Sequence, residues 1–257
     1  MSHPARRRPV ATKSRANYNS HVAGQLYLSL WFPNFRFASL PAATLSVLQQ
    51  FPFSPARPGI RAAIAYPLNW GEPHVYQRIW EADEISVESP EALQGQLERA
   101  ISEATEMLHE DYAYEFEVNW DLWMPKFGGT HEGANNSGTS TEMDDGEVED
   151  SDEPDDQSTW VRKPSLVRVT ALGPDFEDAA FEQMGQIRLD LGHDSLFLQP
   201  EIPLGPADLQ HIQQNIAMLV DLTARIEKNC GVSSRLLWSD DDSNLAQKLL
   251  ERLQKLN

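Results

Sequence analysis

The strongest strand signal in the sequence is YAYEFEVNWDL, residues 112–122. Large apolar side chains occupy every second position and alternate with Ala113 and with polar or acidic residues. This period of two predicts a β-strand with one buried face and one mostly acidic face. The strand follows a predicted amphipathic helix that begins at Ser89-Pro90-Glu91, where a capping hydroxyl, an N-terminal proline and an acid come together. Strand and helix together indicate an α+β protein.

The elements on either side of this stretch suggest two similar halves. Residues 25–125 have the predicted order β-α-β-β-α-β, with strands at 26–32, 60–66, 74–80 and 112–122 and helices at 41–50 and from 90 onward. Residues 161–257 repeat much of this order, with strands at 166–171, 186–191, 195–198 and 232–238, a weak helix at 175–183, a long helix from 206 and an amphipathic C-terminal helix from 245. The order resembles the ferredoxin-like βαββαβ sandwich. We therefore predict two ferredoxin-like halves from an internal duplication, plus a C-terminal helix. The alternative is that two unrelated halves share a common order.

Two segments have the composition of disordered chain. Residues 1–24 form a basic tail, with five basic and no acidic side chains. Residues 126–160 form a linker whose part 128–159 holds eleven acidic and no basic side chains among Gly, Ser, Thr and Asn. Neither segment has enough apolar surface to offset the entropy of ordering, so we predict disorder in both.

Charge and cysteine content narrow the classes of function. The chain has 39 acidic and 21 basic residues, a net charge of −18, and its body stays acidic without the linker. An acidic body repels phosphate backbones and so disfavours a nucleic-acid partner. Nucleic acid could then bind only through the basic tail, at Arg6, Arg7 and Arg8. The single Cys230 cannot form an intrachain disulfide, which favours a reducing, cytoplasmic location. No apolar run approaches the length of about 20 residues that spans a bilayer, so no membrane partner is expected.

The sequence lacks the motifs that carry common chemistries. It has no glycine-rich phosphate loop, and its histidines and single cysteine have no metal-ligand spacing. Residues 192–195, GHDS, contain the three residue types of a catalytic triad, but adjacent side chains point apart, so we interpret them as a turn. We therefore predict no catalytic residue, no cofactor and no metal.

Two groups of side chains remain as candidate binding residues. Polar and aromatic groups that a groove between the two halves would bring together are Glu115, Glu117, His193, Asp194 and Trp238. Tryptophans that fall outside the main apolar stripes are candidate anchors for a partner, or for the interface between the halves: Trp31, Trp70 and Trp123.

These observations favour a non-catalytic cytoplasmic protein that binds another protein or a peptide, with the acidic linker suited to a partner that has a basic surface. One alternative is an enzyme or small-molecule sensor with a site in the groove between the halves. Nucleic-acid binding through the basic tail is the other alternative.

Overall fold

The structure is a computed structural model that describes residues 24–81, 89–126, 160–198, 205–240 and 244–254. The predicted disorder of the basic tail and of the acidic linker concerns residues 1–23 and 127–159, which lie outside the described residues. The strands are β1 (Gln25–Trp31), β2 (Ile60–Pro67), β3 (Tyr76–Ile79), β4 (Tyr112–Pro125), β5 (Trp160–Leu172), β6 (Ile187–His193) and β7 (Ser234–Ser239). The helices are a 3-10 turn (Phe37–Ser39), α1 (Leu40–Leu48), α2 (Pro90–Ala104), α3 (Phe181–Met184), α4 (Ser195–Leu198), α5 (Pro206–Asn229) and α6 (Leu245–Gln254).

The described strands form one antiparallel sheet in the order β3-β2-β4-β5-β6-β1-β7. Its centre is the pair β4 and β5, which stay in register from Ala113 opposite Leu172 to Pro125 opposite Trp160. The two strands extend beyond their neighbours at the Pro125 end, where β6 no longer pairs with β5. A cleft therefore opens between β5 and β6.

One face of the sheet carries the main hydrophobic core. The alternating side chains predicted to be buried, from Tyr114 to Leu122, point to this face and are less than 2% exposed. Helices α1, α2, α4, α5 and α6 supply the opposing apolar side chains. Burial of each such Leu or Phe contributes about 1.5–3 kcal/mol.

The other face, here called the open face, is only partly covered. A small cluster of Ala113, Leu172 and Phe176 fills one end, and Tyr66 and Trp70 pack against it. The middle of the open face carries the polar side chains of β4, β5 and β6. Because these strands are adjacent, their charged groups lie beside one another.

The α+β class is confirmed, but the ferredoxin-like duplication is not. A ferredoxin-like first half would pair β1 with strands of that same half, whereas β1 lies between β6 and β7. The two predicted halves also share one sheet, through the pair of β4 and β5. Alternation of apolar residues determines which face a side chain takes, but it does not determine which strand lies alongside.

Three element predictions needed local correction. The segment predicted as a strand at 195–198 is the helical turn α4, because the N–H groups of Phe197 and Leu198 both donate to the Asp194 carbonyl. Of the helix predicted at 175–183, only the short α3 is formed. Strand β5 begins at Trp160, inside the predicted linker, because Trp160 and Val161 pair with Pro125 and Met124 at the end of β4.

Candidate functional site

The middle of the open face holds a group of charged side chains that we call the arginine–carboxylate cluster: Glu115, Glu117, Arg168, Arg188 and Asp190. Arg168 Nε lies 3.5 Å from Glu117 and 3.8 Å from Glu115, and its Nη1 lies 3.8 Å from Asp190. These distances exceed the usual length of an N–H···O hydrogen bond, about 2.7–3.2 Å. The Arg168 guanidinium is therefore surrounded by carboxylates and still has N–H groups available as donors.

Glu115 is the most perturbed acid of this cluster. Burial of its carboxyl raises the pKa from an ordinary 4.5 to about 7; Arg168 opposes the rise, and the negative charges of Glu117 and Asp190 add to it. Its side chain is 12% exposed. Near neutral pH, Glu115 is thus divided between its protonated and ionised forms.

An aromatic pair lies farther along the open face, towards β7. The rings of Tyr27 and Trp238 stack at 4.5 Å, and the Trp238 indole N–H donates to Ser29 Oγ at 3.0 Å. The Arg188 guanidinium lies over the other side of Tyr27, 5.2 Å from the ring centre. Trp238 thus belongs to an intramolecular stack on the same face as Glu115 and Glu117, two strands beyond the cluster's last strand, β6.

The cleft between β5 and β6, which we call the β5–β6 pocket, has a volume of about 390 Å³. Its polar lining includes Lys163, Arg168, Asp190 and His193, and the Gln25 side-chain amide lies 3.4 Å from His193 Nδ1. Apolar side chains of β4, β5 and α4 line the rest: Met124, Pro125, Leu166 and Leu196.

The structure brings together only some of the polar residues predicted for a groove. Glu115 and Glu117 contact Arg168, which also lines the β5–β6 pocket, and His193 lies at its rim. Asp194 is buried and accepts a hydrogen bond from Ser239 Oγ at 2.9 Å, so it connects the end of β6 to β7.

The three predicted anchor tryptophans all lie half-buried in intramolecular contacts. The Trp31 indole N–H donates to the Glu182 carbonyl at 3.3 Å. Trp70 packs edge-on against Phe176 in the small cluster of the open face. Trp123 stacks on His211 of α5 with a centroid distance of 4.1 Å. Their role as anchors for a partner stays a prediction.

A second surface lies at the end of the sheet, where β7 pairs with β1 as its single neighbour among the described strands. Beside it, α5, α6 and β7 enclose an apolar groove of about 360 Å³, which we call the α5–α6 groove. Three of its aliphatic side chains are strongly exposed: Val220 at 53%, Leu250 at 56% and Leu253 at 37%. Leu236 of β7 is 52% exposed on the open face.

Sequence reasoning missed Arg168, Arg188 and Asp190. Each occupies a polar position within a correctly predicted strand, and for Arg188 and Asp190 the strand had been recognised by its alternation. Their proximity to Glu115 depends on the pairing of β4 with β5 and of β5 with β6, which alternation does not specify.

Comparison with known proteins gives no further guide, because no family model, curated protein or solved structure matches the chain. Within the described ranges, no three histidine, cysteine or acidic side chains are grouped so that they could hold a metal ion. None of the helices described here combines the length and apolar character needed to cross a membrane.

Proposed function

We propose that this protein binds an extended segment of a partner protein, which adds as a new strand to the edge of β7 that no other described strand covers. The observation that carries the proposal is the combination of an edge strand and an apolar groove directly beside it. Strand addition is a recurring mode of peptide recognition, in which the backbone gives affinity and alternate side chains give specificity. A cytoplasmic location, inferred from the single cysteine, belongs to the same proposal.

The backbone of β7 has donors and acceptors directed outward. The Asp240 N–H donates to the Gln25 carbonyl of β1 at 3.3 Å, and the register from this point is regular. Hydrogen-bonded and non-hydrogen-bonded pairs alternate along antiparallel strands. The backbone N–H and C=O groups of Arg235, Leu237 and Ser239 therefore point away from β1, and a partner strand would bond to them.

The groove sets the chemistry of the incoming side chains. Side chains of an added strand alternate between the two faces of the sheet. Those on the helix side would pack against Leu237, Leu250 and Leu253, and those on the open face would lie beside Leu236. A segment with apolar residues at alternate positions fits both surfaces.

Charge favours a basic segment. The chain carries a net charge of −18, and β7 leads directly into Asp240-Asp241-Asp242 in the sequence. A partner segment with lysine or arginine at its ends would gain from this field, mainly in its rate of association. We therefore infer a partner segment with an alternating apolar centre and basic flanks. A second copy of this acidic chain is disfavoured on the same ground.

The proposal is tested by selecting binders from a displayed library of random peptides on the full chain, followed by anisotropy measurements on labelled peptides. The key pair of variants is Arg235→Pro and Arg235→Ala. Both remove the exposed ion pair of Arg235 with Glu227, but only proline removes the outward N–H. We expect Arg235→Pro to weaken binding about 3- to 10-fold, as the loss of one hydrogen bond implies, and Arg235→Ala to have little effect.

Variants of the groove give an independent test. Leu250→Ser should weaken binding, whereas Ile79→Ser, which changes an equally exposed residue on the opposite edge strand β3, should not. Equal effects of the Arg235 pair, or selected peptides without alternation, would refute strand addition. If the wild-type protein is a dimer and Arg235→Pro makes it monomeric, a second copy of the chain occupies this edge. Peptide binding that appears only after deletion of residues 1–23 would show the chain's own tail there.

A further inference from the structure

We propose that the β5–β6 pocket is a binding site for a small carboxylate with an apolar body. This inference is independent of the proposed strand addition, since the pocket and the free edge of β7 use different residues. Its volume of about 390 Å³ falls within the range of small-molecule sites, about 300–1,000 Å³.

The pocket arises from the divergence of two strands. The last residues paired between β5 and β6 are Arg168 and Asp190, after which β6 turns away through Gly192. Gly192 has a φ of +83°, a conformation that side-chain-bearing residues rarely adopt. The cleft is therefore part of the backbone path and does not depend on a chance arrangement of surface side chains.

The two basic side chains that line the pocket lie on different faces of β5, since Lys163 pairs with Leu122 on the helix side and Arg168 with Glu117 on the open face. Lys163 is exposed, with no ion pair or hydrogen bond to the described part of the chain, so its ammonium carries an uncompensated charge. Arg168 lies 3.5–3.8 Å from three carboxylates, and none of these contacts is as short as a usual N–H···O hydrogen bond. Lys163 would supply the charge that binds a carboxylate, whereas Arg168 lies five residues along β5 on the open face and stays beside its own three carboxylates.

Only one carboxylate, that of Asp190, is among the described side chains that line the pocket. One of its oxygens accepts the Gly192 N–H at 3.0 Å, and the other lies 3.8 Å from Arg168 Nη1. Because both oxygens already interact with the protein, Asp190 opposes an anionic ligand less than a free carboxylate would.

Four of the lining side chains are apolar. Met124 and Pro125 at the end of β4, Leu166 of β5 and Leu196 of α4 face the same space. Flexible methionine and leucine side chains adapt to ligands of varied shape. The pocket therefore combines the exposed ammonium of Lys163 with apolar side chains, which suits an alkyl or aryl carboxylic acid.

The experiment uses the full chain and three carboxylates, naphthylacetate, phenylbutyrate and octanoate, each beside its primary amide. Binding is measured by calorimetric titration and by the backbone amide shifts of Gly192 and Ser195. We expect the carboxylates to bind and the amides to bind at least about tenfold more weakly, because the charged hydrogen bonds are lost. Shifts should be centred on Gly192 rather than on Leu250 of the α5–α6 groove.

Lys163→Met removes the charge and keeps the length of the side chain; it should lower carboxylate affinity about tenfold and leave the amides unchanged. Lys228→Met, at an exposed lysine of α5, is the matched control and should have no effect. The proposal is overturned if none of the three carboxylates binds, if acids and amides bind equally, or if Lys163→Met leaves the preference for the acids intact.

Discussion

Replacement of Glu115 by glutamine should stabilise the protein at neutral and alkaline pH and have little effect in acid. Burial of the carboxyl raises the pKa of Glu115 from 4.5 to about 7. In the unfolded chain this group ionises near 4.5, so the folded state binds its proton more tightly. The contribution of Glu115 to stability is therefore largest below about pH 4.5 and is lost as pH rises through about 7.

The size of the effect follows from the two pKa values. Each pKa unit corresponds to about 1.4 kcal/mol, so the ionised Glu115 reduces the free energy of unfolding by about 3 kcal/mol above pH 7. Glutamine resembles the protonated acid and does not ionise. For a chain of this size, Glu115→Gln should raise the melting temperature by about 6–12 °C near pH 8 and by almost nothing near pH 4.

Urea unfolding of wild type and Glu115→Gln across this pH range measures the difference directly. Glu98→Gln, at an exposed glutamate of α2, is the control and should give no pH-dependent difference. A carbon NMR titration of the Glu115 carboxyl should have its midpoint near 7. A midpoint at the ordinary value, or a stability difference that does not change with pH, would refute this account of the buried carboxyl.

Three further predictions concern stability. Asn215→Ala should cost about 2–4 kcal/mol in urea unfolding, because the buried amide bonds to the backbone N–H and C=O of Trp123 and to the Leu196 carbonyl, each at 2.9 Å. Gly185→Ala should cost more than Gly231→Ala in thermal melts, since both glycines have positive φ but only at Gly185 would a Cβ meet backbone, 2.7 Å from Leu30 N and O. Replacement of residues 127–159 by a short glycine–serine turn should leave the melting temperature almost unchanged, because the flanking strands already pair up to that point.

Each of these has a clear contradicting result. Asn229→Ala, at an exposed asparagine, is the control for Asn215, and equal losses would contradict the role of the buried amide. Equal melting temperatures of the two glycine variants would show that the backbone at Leu30 can shift to accommodate a Cβ at residue 185 without loss of stability. A large loss of stability in the shortened chain would show that residues 127–159 contribute to the fold.

Most strands and helices could be located from the sequence, because period-two alternation and helix caps are local signals. Residues 112–122 and the helix starts at Pro90 and Pro206 are examples confirmed by the structure. The neighbours of each strand could not be located, since alternation at β1 says nothing about β6 and β7. The error at residues 195–198 has a similar origin: a four-residue apolar run fits a strand or a helical turn equally well.

The candidate sites were predicted less completely for the same reason. Glu115 and Glu117 were identified as one acidic strand face, but the partial burial of Glu115 and its contact with Arg168 depend on β5. Lys163 lies in a segment next to the predicted linker, where no strand was predicted. Its position in the pocket depends on where the pairing of β5 with β6 ends.

The position of β1 has a consequence for biosynthesis. The hydrogen bond between Trp238 and Ser29 spans 209 positions of the chain. On the ribosome, β1 emerges long before either of the strands that flank it, and contacts between such distant residues form slowly. We therefore expect β1 to lack β6 and β7 as neighbours through most of synthesis.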